Sequence, residues 1–149
     1  MRAVAQRVRA SSVTVGDAVV GRIEHGLLAY VGAQREDSAD DLAYIANKLV
    51  NLRIFEDDRG KMSLSVLEAG GGVLLVPQFT LFGDVRRGRR PSFDDAELPE
   101  RARELFDQLV AEVTRFGAIV ATGRFREEML VEARVAGPVT ILLDSRKVF

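Results

Sequence analysis

Apolar and polar residues alternate loosely over residues 2–15, where Val4, Val8, Val13 and Val15 stand among Arg, Gln and Ser. A period near two marks a half-buried strand. Gly16-Asp17 then predicts a turn, and Ala18 to Ile23 returns as the second strand of a hairpin. His25-Gly26 marks a bend before Leu27-Leu28-Ala29-Tyr30-Val31-Gly32, a short apolar run suited to a buried strand. Beyond it the period changes. Ser38 stands where a helix N-cap is needed, and Leu42, Ile45, Ala46 and Leu49 follow at i, i+3, i+4 and i+7. Leu52 to Phe55 is expected as a strand and residues 56–60 as a turn. Gly70-Gly71-Gly72 leads into Val73-Leu74-Leu75-Val76, a further buried strand that delivers the chain to Gln78 and Thr80.

Residues 82–95 are rich in Gly, Arg and Asp and read as a loop. Pro99 suits the first position of a second helix, since its missing N–H has no helical partner there. Ala102, Leu105, Phe106, Leu109, Val113 and Phe116 share one face of that helix, and Gly117 suits its C-terminal cap. Two or three strands are expected after it: Ala118 to Thr122, Met129 to Val135 and Val139 to Leu143, the last two flanking Gly137-Pro138. Seven or eight strands with two long helices predict an α+β fold with antiparallel or mixed sheets, barrel-like or layered. Repeated βαβ units are excluded. At 149 residues, without a linker or internal repeat, a single domain over residues 1–149 is expected.

Composition narrows the chemistry more than the fold. There is no cysteine, which removes disulfides, thiolate nucleophiles and Cys-bound zinc together. Carboxylates are scattered singly, so neither a metal nor another cofactor is expected. Lys and Arg nearly balance Asp and Glu at a net charge of -1, so only a local patch could bind nucleic acid. Arg2, Gln6, Arg7 and Arg9 interrupt any early apolar run, and no stretch reaches spanning length. The expectation is a cytoplasmic protein without a membrane partner.

Three segments could carry chemistry. Gln78-Phe79-Thr80 ends a buried strand in polar residues. It reads either as a plain strand terminus or as a carbonyl-binding site of main-chain amides, with Thr80 as hydroxyl donor or nucleophile. A nucleophilic Thr needs a base, and none lies near it in sequence. Gly137-Pro138 reads first as a turn or edge, because Pro cannot donate to a sheet ladder; a cis bond there would fix the Gly carbonyl as a selectivity element. Arg86-Arg87-Gly88-Arg89-Arg90 is either a solvated loop partnered by Asp84, Asp94 and Asp95 or a phosphate-binding patch. The one histidine, His25, sits in a turn and reads as a surface or capping residue rather than a general base.

Taken in order, these segments resemble the D-aminoacyl-tRNA deacylase family over essentially the whole length. The resemblance rests on Ala5-Gln6-Arg7-Val8, Ala10-Ser11-Ser12-Val13-Thr14-Val15, Arg53-Ile54-Phe55 and Gly60-Lys61-Met62. It continues through Gln78-Phe79-Thr80-Leu81, Arg87-Gly88-Arg89-Arg90-Pro91-Ser92-Phe93, Thr122-Gly123-Arg124-Phe125 and Gly137-Pro138-Val139-Thr140. It implies a proofreading hydrolase that cleaves the ester between a D-amino acid and the terminal ribose of tRNA, and removes glycine mischarged onto alanine tRNA. It also implies a homodimer in which Gln78, Phe79 and Thr80 of one subunit face a cis Gly137–Pro138 of the other, whose carbonyls exclude L-amino acids.

Two catalytic versions follow from the resemblance. Thr80 attacks the ester, or the ribose 2′-hydroxyl activates water while the Phe79 and Thr80 amides hold the carbonyl oxygen. Arg87, Arg89 and Arg90 would contact tRNA. A non-catalytic RNA-binding domain using the Arg86–Arg90 loop is the alternative. Two positions depart from the family's commonest pattern: Pro77 stands where Ser is usual, and Val135 where Asn is usual.

Overall fold

In the computed structural model, which describes residues 1–149, one long strand organises the sheet. β1 (Arg2–Val15) uses one edge for two partners in succession. β2 (Ala18–Ile23) pairs antiparallel with Ser11 to Val15, and β3 (Gly26–Gly32) with Arg2 to Val8. Outward from β3, β6 (Gly72–Pro77) and β7 (Ile119–Thr122) continue in parallel. β8 (Leu130–Asp144) takes the other edge of β1 over nearly its whole length. β4 (Phe55–Glu56) and β5 (Met62–Leu64) form a separate two-stranded ladder. The sheet is mixed, and it curls until β2 meets β7: a Cβ on Gly21 would lie 2.4 Å from the Thr122 carbonyl oxygen. The expected α+β fold with a barrel-like sheet is what is found.

Helices α1 (Ala39–Asn51) and α2 (Pro99–Arg115) cover one face. The period-3.6 residues predicted to face inward do so: Leu42, Ile45, Ala46 and Leu49 from α1, and Leu105, Phe106, Leu109 and Val113 from α2. They join Leu27, Ala29, Val73 and Leu75 of the sheet in the main core. Each fully buried Leu or Val contributes ~1.5–3 kcal/mol of hydrophobic stabilisation. The opposite faces of the same strands build a smaller core inside the curl, from Val8, Val13, Ile23, Leu28, Leu74 and Val76. Burial on both faces is why β3 and β6 read as unbroken apolar runs. Ser38 caps α1 in a reciprocal box with Asp41, Pro99 opens α2, and Gly117 ends it at φ 92° with its N–H on Thr114 O.

Two expectations are corrected. The strand expected over Leu52 to Phe55 is confined to Phe55–Glu56, because Leu52 is the α1 C-cap and its N–H still bonds Lys48 O. The two strands expected to flank Gly137-Pro138 are one strand, β8, which runs through the dipeptide. β1 and β8 pair at Gln6↔Thr140 and again at Val8↔Val135, so Ala136, Gly137, Pro138 and Val139 stand opposite Arg7 alone. The proline needs no ladder partner in such a bulge, and pairing resumes on both sides. No helix is long and apolar enough to cross a membrane.

Candidate active site

β6 ends where β7 has already stopped, and the chain turns at once into a 3₁₀ turn, Phe79–Phe82. The alternation of a strand explains Pro77. The Gln78 N–H points to β3 and bonds Val31 O at 2.8 Å, and the Leu75 carbonyl faces the other way, accepting from Gly123 N. The nitrogen of residue 77 therefore faces past the end of β7, and proline forfeits no ladder bond there. The first amides of a helical turn have no acceptor within it, so the N–H groups of Phe79 and Thr80 are the donors this segment leaves over. Gly32 makes room for the turn: a Cβ there would sit 2.7 Å from Gln78 O and 3.0 Å from the Phe82 ring.

Thr80 is exposed, and its hydroxyl oxygen accepts a hydrogen bond from the Gln78 side-chain amide. A donor, not a base, occupies that oxygen, which lowers rather than raises its nucleophilicity. Phe79 is exposed too, and its ring meets Phe93 edge-on at 5.1 Å. From below, the Arg2 guanidinium donates to Leu81 O at 3.2 Å while held by Asp144 at 2.8 Å, and it lies 4.7 Å from the centre of the Phe82 ring.

Beside the turn is an apolar cavity of about 330 Å³. Phe79, Phe106, Phe125, Pro77, Pro99 and Val31 supply much of its wall, with Gln78, Glu97 and Arg126 as polar members. Aromatic walls of this kind suit a flat ring next to the turn. The Glu97 carboxylate accepts the Leu98 N–H at 2.7 Å at the start of α2, so it serves the helix end rather than Thr80. Sequence reasoning assigned no role to Phe125, Arg126 or Glu97. Only Phe125 carried a signal, as the last residue of Thr122-Gly123-Arg124-Phe125.

Gly137 and Pro138 lie elsewhere in the same chain. Their peptide bond is cis, Gly137 has φ 117°, and Gly137 lines a separate open cleft with Arg7, Arg9, His25 and Glu56. The bulge is fastened by Arg7, which is 8% exposed. Its guanidinium donates to Ala136 O at 3.3 Å and Ile54 O at 2.8 Å and pairs with Glu56 at 3.3 Å. Arg7 stood out in the sequence only as a break in the early apolar run and as part of a motif; its position opposite a four-residue bulge could be seen only once the register was known. His25 is exposed and stacks edge-on against Phe55, in this cleft and not beside Thr80.

Arg87, Arg89 and Arg90 sit on an exposed loop closed by paired backbone bonds between Asp84 and Ser92, at 2.8 and 3.0 Å. Arg86 is drawn back onto Asp84 in a fork of 2.6–3.0 Å contacts, and hydrogen bonds from Arg86 hold that carboxyl at about 2. Within one chain, then, Gln78, Phe79 and Thr80 form one cluster. Gly137 and Pro138 form another, and the three free arginines a third.

The profile of the D-Tyr-tRNA(Tyr) deacylase family matches residues 4–144. The chain belongs to that family. Its relatives include the D-aminoacyl-tRNA deacylases of Desulforudis audaxviator (strain MP104C) and Fervidobacterium nodosum (strain ATCC 35602 / DSM 5306 / Rt17-B1). They are 54% and 51% identical over 149 residues, with all of both chains covered in each case. Among solved structures, one described as a c-Myc DNA unwinding element binding protein superposes with a TM-score of 0.91 at 36% identity. That match covers 97% of this chain and 98% of the other.

Proposed function

We propose that this deacylase-family member hydrolyses the ester joining a D-amino acid to the terminal ribose of tRNA, and that of glycine mischarged on alanine tRNA, while sparing L-aminoacyl-tRNA. Full-length identity above half with D-aminoacyl-tRNA deacylases carries the activity. The donor bond from Gln78 to the Thr80 hydroxyl carries the mechanism. With that oxygen held as an acceptor and no base hydrogen-bonded to it, Thr80 orients rather than attacks.

The carbonyl oxygen of the ester docks on the Phe79 and Thr80 amides, and the terminal base lies in the aromatic cavity next to them. The neighbouring ribose 2′-hydroxyl helps water attack the carbonyl carbon. The amides stabilise the negative oxygen of the tetrahedral intermediate. The C–O bond to the ribose then breaks, and the departing ribose oxygen takes the proton released by the water. The products are the free D-amino acid and tRNA.

The protein acts as a homodimer in this reading, because in one chain the chirality-testing carbonyls and the ester-binding turn line different cavities. Pairing of two copies would bring Gly137 and Pro138 of one against the Gln78–Thr80 turn of the other. A second reading, a nucleic-acid-binding domain without catalysis, draws on the Arg87, Arg89 and Arg90 loop and on the DNA-binding description of a structural relative.

Incubation with D-tyrosyl-tRNA and L-tyrosyl-tRNA separates the two. Release of the D-amino acid alone is expected; binding without release establishes the second reading. With the same substrate, Thr80→Ala keeps turnover within about tenfold of the parent. A terminal 2′-deoxyribose lowers turnover by about 10²–10⁴, the usual worth of positioned acid–base help. Loss of more than about 10³ on Thr80→Ala restores the nucleophile mechanism.

A further inference from the structure

The cavity beside Phe79 has a cationic rim that no part of the proposed chemistry uses. Arg124, Phe125 and Arg126 begin one residue beyond the end of β7, after Gly123, and Arg126 is itself a wall residue shared with Gln78 and Phe79. From α2, Arg103 reaches across and lies 5.0 Å from the centre of the Phe125 ring. All three arginines are exposed. None forms an ion pair, although α2 neutralises its other arginines: Arg101 pairs with Glu104 at 2.8 Å and Arg115 with Glu112 at 2.6 Å. Glu127 and Glu128 follow in the same loop and are exposed, yet neither is drawn onto these guanidinium groups. Glu97, the carboxylate on the cavity wall, is occupied by the Leu98 N–H.

Arg126 on the cavity wall, its near neighbour in sequence Arg124 and Arg103 against the Phe125 ring put three unneutralised forks beside a cavity large enough for a nucleobase, an anion site of extended form. Arginine presents paired donors that match phosphate oxygens, and stacking on Phe125 holds Arg103 in place without a counter-ion. The geometry points to Arg103, Arg124 and Arg126 as the clamp for the phosphates of the single-stranded acceptor end of tRNA, immediately before the esterified nucleotide. This rests on the hydrolase reading above. With the base in the cavity, the phosphodiester leading into that nucleotide leaves past Arg126 in this assignment. Arg126 is the arginine among the residues lining that cavity, and Arg103 reaches it through Phe125, whereas neither Arg87, Arg89 nor Arg90 lines it.

The test compares D-tyrosyl-tRNA with D-tyrosyl-adenosine, which carries the ester and base but no phosphate. For the combined variant Arg103→Gln, Arg124→Gln, Arg126→Gln, kcat/KM on tRNA falls by at least tenfold more than on the adenosine ester, mostly through KM. The salt slope of log kcat/KM on tRNA becomes shallower by about 2, as three lost contacts to a single strand require. Equal losses on both substrates, or an unchanged salt slope, overturn the assignment. So does a larger phosphate-specific loss in Arg87→Gln, Arg89→Gln, Arg90→Gln. If the unaltered protein releases tyrosine from neither substrate, the hydrolase reading itself has failed, which is a different result from an insensitive rim.

Discussion

At Gly137 the backbone holds φ 117°, where a side chain is strained, and the space a Cβ would need is already taken. Such an atom would stand 2.8 Å from Val139 Cγ2 and 3.0 Å from both Arg7 Nη2 and the Val139 nitrogen. The valine methyl can turn aside, but the nitrogen is backbone, and Arg7 is tied to Ala136, Ile54 and Glu56 at once. Gly137→Ala is therefore expected to cost about 1–3 kcal/mol from strain and crowding. At this chain length that lowers the melting temperature by roughly 2–4 °C per kcal/mol. Calorimetry reads that loss. Moving Arg7 also loosens the grip on the bulge, so discrimination falls with stability: the ratio of D- to L-tyrosyl-tRNA turnover drops by at least tenfold. A variant that melts early but discriminates as before would make the glycine purely structural.

Among the elements, the helices were legible in their starts and inward faces because capping and periodicity are local. Ser38, Pro99 and Gly117 each act within a turn of their own position. β8 was not, since what carries the strand through Gly137-Pro138 is β1 pairing again on the far side, more than a hundred residues away in sequence. The 3₁₀ turn at Phe79 escaped for a similar reason: it is fixed by the end of β7 and by Arg2 on Leu81 O, neither visible locally. For the site, the residues of the Gln78–Thr80 turn were legible as a motif. Phe125, Arg126 and Glu97 reach its cavity only through the packing of α2 beside β7.

One element carries a pH dependence. Burial raises the Asp41 pKa, but bonds from Ser145 and from the Ser38 backbone and hydroxyl outweigh it, and the net value falls from 3.8 to about 2. A carboxyl that titrates lower when folded stabilises the native state fully above its unfolded value, and the stabilisation disappears as pH falls through the folded one. Stability should decline between about pH 4 and pH 2, and Asp41→Asn should flatten the thermal-melting profile over that interval while lowering stability at neutral pH. A profile as steep as the parent's would place the acid sensitivity elsewhere.

At the scale of the whole molecule, β8 is an anomaly. Paired on one edge only, it leaves Leu130 65%, Leu142 58% and Val135 39% exposed, with the cis Gly137–Pro138 bulge midway along it. Those three line one strand on either side of the bulge as an open apolar surface, while Ile119, Leu98 and Phe79 are exposed elsewhere on the molecule. A second copy laid along this strand would cover that surface and carry its own Gln78–Thr80 turn toward the bulge. Leu142 is two residues beyond Thr140, whose hydroxyl accepts from Gln6 at 3.2 Å, and its side chain holds nothing within the chain's main core. Leu142→Glu should therefore leave the fold intact but place a charge in the shared surface. Sedimentation should show a dimer for the parent and a monomer for the variant, with unchanged circular dichroism. Selectivity should fall in the monomer, with the ratio of D- to L-tyrosine release dropping by at least tenfold, because in the proposed reading the turn remains and the facing Gly-Pro carbonyls are gone. A monomeric parent, or a monomeric variant that discriminates as before, would mean that the ester-binding turn is sufficient alone and that Gly137 and Pro138 serve the bulge rather than the substrate.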